Sequence, residues 1–350
     1  MDGGWSERLR PFRLMHFPEQ DITQAADLLT TATRFLCVCH RNPDGDAIGS
    51  LLAMGLLLEQ EFPGKPVGFH CVDPVPEMFH VLPGAFRVSV LPQPVPEPEG
   101  TVFVFLDSAE PKLTELHETH PQLFDGTYKS LMIDHHYSNP RFGTANLLVA
   151  EASSTCEIVT WFAERMKWPL TGDIATCLLT GVYTDTGGLL HSNVTPEVYR
   201  TVAHLCRAGG RRQQVVNAVF RTGQLSTLRL WGRVLEKITL TDEGGAISAV
   251  TEGDFRATGA DYSELTGAID YVNAVPGMRF SLILSERDGK VKGSLRTLRD
   301  DVDVSAMAGK FSGGGHRKAA GFALPGKLKP EVRWKVVEDD QSGVSSPQGE

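Results

Sequence analysis

The chain has 350 residues, 41% of them hydrophobic and 22% charged, with a formal net charge of −9 at pH 7; this is the balance of a soluble globular protein with room for about two domains. No apolar run approaches the roughly 20 residues that cross a bilayer, and the first residues, with Asp2, Glu7 and Arg8, lack a signal-peptide core, so the expectation is a cytoplasmic protein away from membranes. The acidic balance excludes a protein that grips long duplex nucleic acid by its phosphates, and the six cysteines, without C-x-x-C spacing, read as small buried apolar residues rather than zinc ligands.

Residues 1–18 form an N-terminal extension leading into a helix near Ile22 to Thr33. Phe35-Leu36-Cys37-Val38-Cys39 is short and apolar and reads as a buried strand of a parallel sheet. It runs into His40-Arg41-Asn42-Pro43-Asp44-Gly45-Asp46, where Gly45 would permit a tight bend between two aspartates, and then into a Leu- and Ala-rich helix, Ala47 to Leu58. Alone, Asn42 to Gly45 also reads as a simple turn with Asp46 as a helix cap. Pro66 to Val72 and Val88 to Leu91 read as further strands, and Pro92 to Pro98 as a stiff exposed loop.

Thr101 to Leu106 is another buried strand and ends on Asp107; Ser130 to Ile133 is another and ends in Asp134-His135-His136. Ser154-x-x-Glu157 predicts a capping box opening a helix to about Lys167. Thr171 starts an apolar helix that delivers Asp185 at its end, and Thr195-Pro196 starts the next. The first domain is read as 1–208 and a helical connector as 209–236. A second α/β domain over 237–328 has strands at Lys237 to Leu240, Ala246 to Val250, Arg279 to Ser285 and Lys290 to Thr297. The tail, 329–350, has the composition of a disordered segment.

Strand-end acids and imidazoles thus gather at the carboxyl edge of a sheet, where open α/β folds hold ligands. His40, Asp44, Asp46, Asp107, Asp134, His135, His136 and Asp185 supply nitrogen and oxygen donors without thiolate, a set that favours Mn2+, with Mg2+, Co2+ or Fe2+ as alternatives. Five carboxylates are too many for one ion and suggest two, about 3.5 to 4 Å apart, as in phosphoesterases. In the second domain, Phe311-Ser312-Gly313-Gly314-Gly315-His316 precedes a small-residue run that reads as a helix, so that backbone N–H groups and a helix N-terminus converge on an anion. Ser294-Leu295-Arg296 adds a two-pronged anion donor, and from Arg279 to Lys329 eleven Lys and Arg stand against five Asp and Glu.

In order and spacing, His40-Arg41-Asn42-Pro43-Asp44-Gly45-Asp46-Ala47-Ile48-Gly49-Ser50, the strand-end Asp107, Asp134-His135-His136, Thr184-Asp185-Thr186-Gly187 and Gly313-Gly314-Gly315-His316 resemble DHH-family phosphoesterases with the DHH-associated C-terminal domain. The resemblance covers about Ile22 to Leu324 and looks most like the nano-RNase and pAp-phosphatase (NrnA) branch, which includes cyclic di-AMP phosphodiesterases. Ser108-Ala109-Glu110 after Asp107 is a mild departure from many relatives.

The resemblance implies a larger parallel-sheet domain with helices on both faces and a smaller α/β substrate-binding domain. It implies that His40, Asp44 and Asp107 hold one Mn2+ and that Asp46, Asp107, His135 and Asp185 hold the other, with Asp107 bridging. His136 would face the scissile phosphate and Asp134 would orient the histidines. Ser294, Arg296, Gly313, Gly314, Gly315 and His316 would bind a terminal phosphate or nucleotide. Hydroxide would attack phosphorus in line, cutting RNAs of a few residues to 5′-mononucleotides and pAp to AMP, in a protein able to form a homodimer. A cyclic di-AMP (and pApA) phosphodiesterase is the alternative within the class, and a non-catalytic nucleotide-binding sensor the alternative outside it. A RecJ-like exonuclease would need an added domain, and the Gly-Gly-Gly-His loop disfavours an inorganic pyrophosphatase.

Overall fold

The computed structural model describes residues 18–91, 94–220 and 224–329. The extension before residue 18, part of the proline-rich loop and the tail from 330 lie outside the described residues. The chain divides into two compact units, Met1–Thr222 and Gly223–Glu350.

The first unit runs through α1 (Glu19–Thr31), β1 (Arg34–Cys39), α2 (Gly45–Glu61), β2 (Val67–His70), β3 (Thr101–Leu106), the single-turn α3 (Leu116–Thr119), β4 (Lys129–Asp134), β5 (Ala145–Leu148), α4 (Thr155–Met166), α5 (Gly172–Asp185), α6 (Pro196–Arg207) and α7 (Arg212–Phe220). Its five strands are parallel, in the order β2-β1-β3-β4-β5. Sequence order reverses between β1 and β3, so the site lies where doubly wound sheets bind ligands.

Strand alternation splits the core. Phe35, Cys37 and Cys39 join the helical layer of α1, α2, α4 and α5, while Leu36, Val38, Phe103 and Phe105 face a smaller cluster with Leu116, Leu123 and Tyr128. Full-length helices therefore cover one face and single-turn helices and loops the other. Helix α2 is buried almost all round, at 0% exposure from Ala47 through Leu58 at most positions, because α4 and α5 pack over it.

Three local expectations change. Val88 to Leu91 is not a strand: arriving from a turn of 3-10 helix at Ala85–Arg87, it makes a single bridge, Ser89 with His70. Gly45 does not form the bend; it is the first residue of α2, and a Cβ there would sit 2.3 Å from Cγ2 of Thr184 on α5. The left-handed residue of the loop is Asn42, at φ 48°. Cys206 is exposed, unlike the other five cysteines.

The stretch 209–236 comprises two helices belonging to different cores. Val215 of α7 packs in the first, and Leu230 and Val234 of α8 (Leu225–Glu236) pack in the second. The second unit continues with β6 (Thr239–Leu240), β7 (Gly245–Val250), α9 (Glu252–Thr258), α10 (Ala268–Asn273), β8 (Phe280–Arg287), β9 (Lys290–Arg296), α11 (Val304–Gly309), β10 (Gly314–His316) and β11 (Ala319–Pro325). Its sheet has the order β10-β11-β9-β8-β7-β6, antiparallel except for β7 with β8.

The helix expected after the triple glycine is instead a β-hairpin, β10 with β11. Ala319 and Ala320 favour helix intrinsically, but β11 pairs along its full length with β9, and Phe322 seals the core beneath. Tertiary pairing overrides the local preference. Among the described residues no helix is long and apolar enough to cross a membrane.

Candidate metal centre

The parallel register builds the centre. Cys39 pairs with Leu106 and Leu106 with Ile133, so the next residues, His40, Asp107 and Asp134, stand in one row across three adjacent strands. The Asp107 N–H still donates to the Ile133 carbonyl, at 3.0 Å, before the chain turns away through a left-handed residue, Asp107 itself at φ 53°. Asp46 arrives on the first turn of α2 and Asp185 on the last residue of α5.

These residues form three overlapping donor groups, each with atoms within 4.8 Å of one another: His40, Asp44 and Asp107; Asp46, His135 and Asp185; and Asp107, His135 and His136. Asp107 is divided between them. Its Oδ2 lies 3.5 Å from His40 Nε2, whereas its Oδ1 lies 3.7 Å from His135 Nε2 and 3.6 Å from His136 Nδ1. His135 Nε2 is 3.2 Å from Asp185 Oδ2 and 4.0 Å from Asp46 Oδ2. Asp44 and Asp46, two residues apart, fall in different groups. Asp44 also caps α2, accepting from the N–H groups of Asp46 and Ala47 at 3.0 Å.

Ring orientation is fixed by carbonyls and one acid. His40 Nδ1 donates to the Arg41 carbonyl at 2.7 Å and His135 Nδ1 lies 3.3 Å from the Ala152 carbonyl; in both, Nε2 faces the carboxylates, the arrangement of metal-ligating imidazoles. Asp134 bonds one of the two rings. Its Oδ1 bonds His136 Nδ1 at 2.7 Å but meets only the backbone N–H of His135, at 2.9 Å, while Oδ2 accepts from Asn139 at 2.7 Å.

Electrostatically the centre is overloaded with negative charge. Burial, then the charges of Asp107 and Asp44, push Asp46 well above the usual carboxylate range. Burial and then Asp46, Asp107, Asp44 and Asp134 do the same to Asp185. Burial also works against Asp107, but the hydrogen bond from His40 and the charges of His135 and His136 outweigh it and hold this carboxyl at about 2. Burial likewise disfavours the cationic forms of His40 and His136; hydrogen bonds with Asp107 and Asp134 respectively overcome it and raise each to about 9. Crowded buried acids of this kind are costly unless a cation joins them, and a hard oxygen and imidazole donor set fits divalent ions such as Mn2+.

Sequence reasoning missed the groups behind these donors. The start of α4 reaches Asp46 and Asp107 through Thr155 and Cys156, and Asn193 donates to the carbonyls of Ser153 and Asp185. The Ser154-x-x-Glu157 signal marked the right place but not the bonding. Ser154 caps the Glu157 N–H, yet the Glu157 carboxylate binds the N–H and hydroxyl of Ser153, both at 2.8 Å, so the reciprocal box is not formed.

In the second unit, register brings the other expected residues together. Ser294 pairs with Gly321 and Gly321 with Gly314; Arg296 pairs with Ala319 and Ala319 with His316. Ser294, Arg296, Gly314 and His316 therefore share one sheet face. Gly313 is required by contact, since a Cβ would lie 2.3 Å from the Gly321 carbonyl oxygen.

Comparison with known proteins agrees with this architecture. The model of the DHH family, N-terminal domain, matches residues 34–182, and that of the DHHA1 domain matches residues 244–339. The bifunctional oligoribonuclease and PAP phosphatase NrnA of Thermus thermophilus is 34% identical over 301 residues, covering 85% of this chain and 86% of that protein. The cyclic-di-AMP phosphodiesterase PdeA of Listeria monocytogenes is 24% identical, covering 90% of this chain and 49% of that protein. A solved structure, an exopolyphosphatase-related protein from Bacteroides fragilis, superposes with a TM-score of 0.79 at 25% identity, covering 90% of this chain and 92% of the other. With both domain models in their order and a relative this similar along most of each chain, the protein belongs to the DHH family of phosphoesterases, as an NrnA-like hydrolytic enzyme that joins a DHH domain to a DHHA1 domain.

Proposed function

We propose that this enzyme hydrolyses very short oligoribonucleotides to 5′-mononucleotides and converts pAp to AMP, with two Mn2+ ions as cofactor. The observation that carries the reading is the split of Asp107, with Oδ2 toward His40 and Oδ1 toward His135. A buried carboxylate shared by two donor groups is the feature that a two-ion phosphoesterase needs. On this reading His40, Asp44 and Asp107 hold one ion, and Asp46, Asp107, His135 and Asp185 the other. Once bound, the pair would shield the phosphate's charge and lower the pKa of water.

The chain's own groups then act on the substrate. His136 is more exposed than the proposed ligand histidines, at 34% of its side chain against 16% for His40 and His135. With Nδ1 held by Asp134, the protonated ring can donate from Nε2 to an anionic phosphate oxygen. Ser294, Arg296, Gly313 to Gly315 and His316 would take the terminal phosphate, a role supported by the one sheet face that Ser294, Arg296, Gly314 and His316 share in the second unit. Substrate class follows the likeness to an oligoribonuclease and PAP phosphatase.

Hydrolysis of a labelled diribonucleotide with Mn2+ tests the reading. Asp107→Ala should abolish it with the fold intact by circular dichroism, and undiminished turnover would refute the assignment. The likeness to a cyclic-di-AMP phosphodiesterase favours one second reading. Turnover of cyclic di-AMP, pApA and pAp by one preparation separates the two.

A further inference from the structure

Thr155 is fully buried at the first turn of α4, and it touches two of the carboxylates at once. Its backbone N–H donates to Asp46 Oδ2 at 2.6 Å, and its hydroxyl donates to Asp107 Oδ1 at 3.0 Å. The next N–H, of Cys156, donates to Asp46 Oδ1 at 2.9 Å. The oxygen that the Thr155 hydroxyl meets is the one facing His135 and His136, not the one facing His40.

The turn that carries Thr155 is itself tied down. Glu157 binds the N–H and hydroxyl of Ser153, and the Ser153 carbonyl accepts from Asn193, whose amide also donates to the carbonyl of Asp185. One short segment thus links the start of α2, the end of β3 and the end of α5, three places far apart in sequence that each deliver an acid.

We infer that Thr155 is a positioning residue for the metal centre: its hydroxyl fixes the rotamer in which Asp107 turns one oxygen to each donor group, while its N–H and that of Cys156 hold Asp46. The inference rests on the two-ion reading of the site and deepens it. Among the described residues, Asp107 has no other side-chain donor on Oδ1 besides the imidazoles that the reading assigns to ion binding and substrate. Without the hydroxyl, the carboxylate is free to rotate toward His40 and leave the Asp46, His135 and Asp185 group one ligand short.

The test is Mn2+ binding to the metal-free full chain, measured by calorimetry and by manganese electron paramagnetic resonance. Thr155→Val keeps the shape and the N–H but removes the hydroxyl, and Thr155→Ser restores it; Asp107→Ala is the reference. Outer partners of metal ligands are worth about 10–100-fold in affinity, so the Val variant should lose that much at one of two sites and keep the other, with the Ser variant close to wild type. Wild-type binding by the Val variant, with binding lost in Asp107→Ala, would overturn the role of Thr155 and leave the two-ion reading standing. Equal weakening and equal loss of thermal stability in the Val and Ser variants would overturn it too, by showing a packing role only. Wild-type binding by Asp107→Ala would overturn both.

Discussion

Gly181 lies on α5 where that helix crosses α2, and it offers a way to move Asp46 without touching it. A Cβ at position 181 would sit 2.3 Å from Asp46 Oδ1, 2.3 Å from Cys156 Sγ and 2.9 Å from Asp46 Cα. Ordinary van der Waals contact begins near 3.4 Å, so either the carboxylate or the helix must shift by about 1 Å. None of the three neighbours yields cheaply, because Asp46 and Cys156 are fully buried and Asp46 is held by two N–H groups. Overpacking of this kind costs about 1–3 kcal/mol, and the better helix propensity of alanine returns about 1 kcal/mol of it. Gly181→Ala should therefore lower stability by up to about 2 kcal/mol and, through the displaced Asp46 carboxylate proposed as a ligand, weaken Mn2+ binding by on the order of 10-fold or more. Gly232 on α8 is the control, since a Cβ there meets nothing within 4 Å; Gly232→Ala should stabilise by up to about 1 kcal/mol. Urea unfolding followed by fluorescence of Trp161 and Trp168, both in the first core, reads the first effect, and calorimetry of the metal-free protein reads the second. A Gly181→Ala protein as stable as wild type and with unchanged Mn2+ affinity would refute the reasoning.

Other expectations follow from the charges. Mn2+ at 100 times its dissociation constant should stabilise the protein by about 2.7 kcal/mol, seen as a rise in melting temperature over the chelator-treated form. Asp185→Asn should change both melting temperatures. Burial and neighbouring acids raise the Asp185 pKa in the fold, so its charge opposes folding at pH above the ordinary carboxylate value; in chelator the Asn variant should melt higher than wild type, and Mn2+ should raise its melting temperature by less than it raises that of wild type. Asp254 has the opposite sign. Burial disfavours its charge, but Lys237 and the Thr251 N–H and hydroxyl more than compensate and hold it below the usual range. Its contribution is present above pH of about 3.9 and disappears as pH falls through the lowered value. Asp254→Asn should cost about 1–2 kcal/mol at pH 7 and progressively less as pH is lowered below about 3.9, by urea midpoints across that range; a loss independent of pH would contradict the ion pair.

Much of the first unit was legible because its strands are continuous apolar runs, each closed by chemistry that an apolar strand has no use for. Phe35 to Cys39, Thr101 to Leu106 and Ser130 to Ile133 could only be buried, and the polar residues after them had to fall on one sheet edge. What sequence could not give is contact across the chain. Nothing near Thr155 announces that its hydroxyl meets Asp107, and nothing near Gly45 announces that its missing side chain makes room for Thr184 rather than a bend. The second unit was harder for a related reason. Its triple glycine and alanine pair are compatible with several backbones, and the choice of hairpin over helix is made by β9, a strand more than twenty residues away from the end of β11.

Asp107 leaves its strand with φ at 53°, a backbone state that few side chains other than glycine, asparagine and aspartate occupy at low cost. Backbone and chemistry therefore impose separate filters on the same position. Glutamate satisfies the charge but not the turn; glycine satisfies the turn but offers no ligand; asparagine satisfies the turn and keeps the shape while surrendering the charge. Only aspartate passes both. On the two-ion reading proposed above, a descendant of this fold that abandoned hydrolysis and kept its architecture has an easy route, a change from aspartate to asparagine here, while a descendant that kept hydrolysis has almost no freedom at this residue.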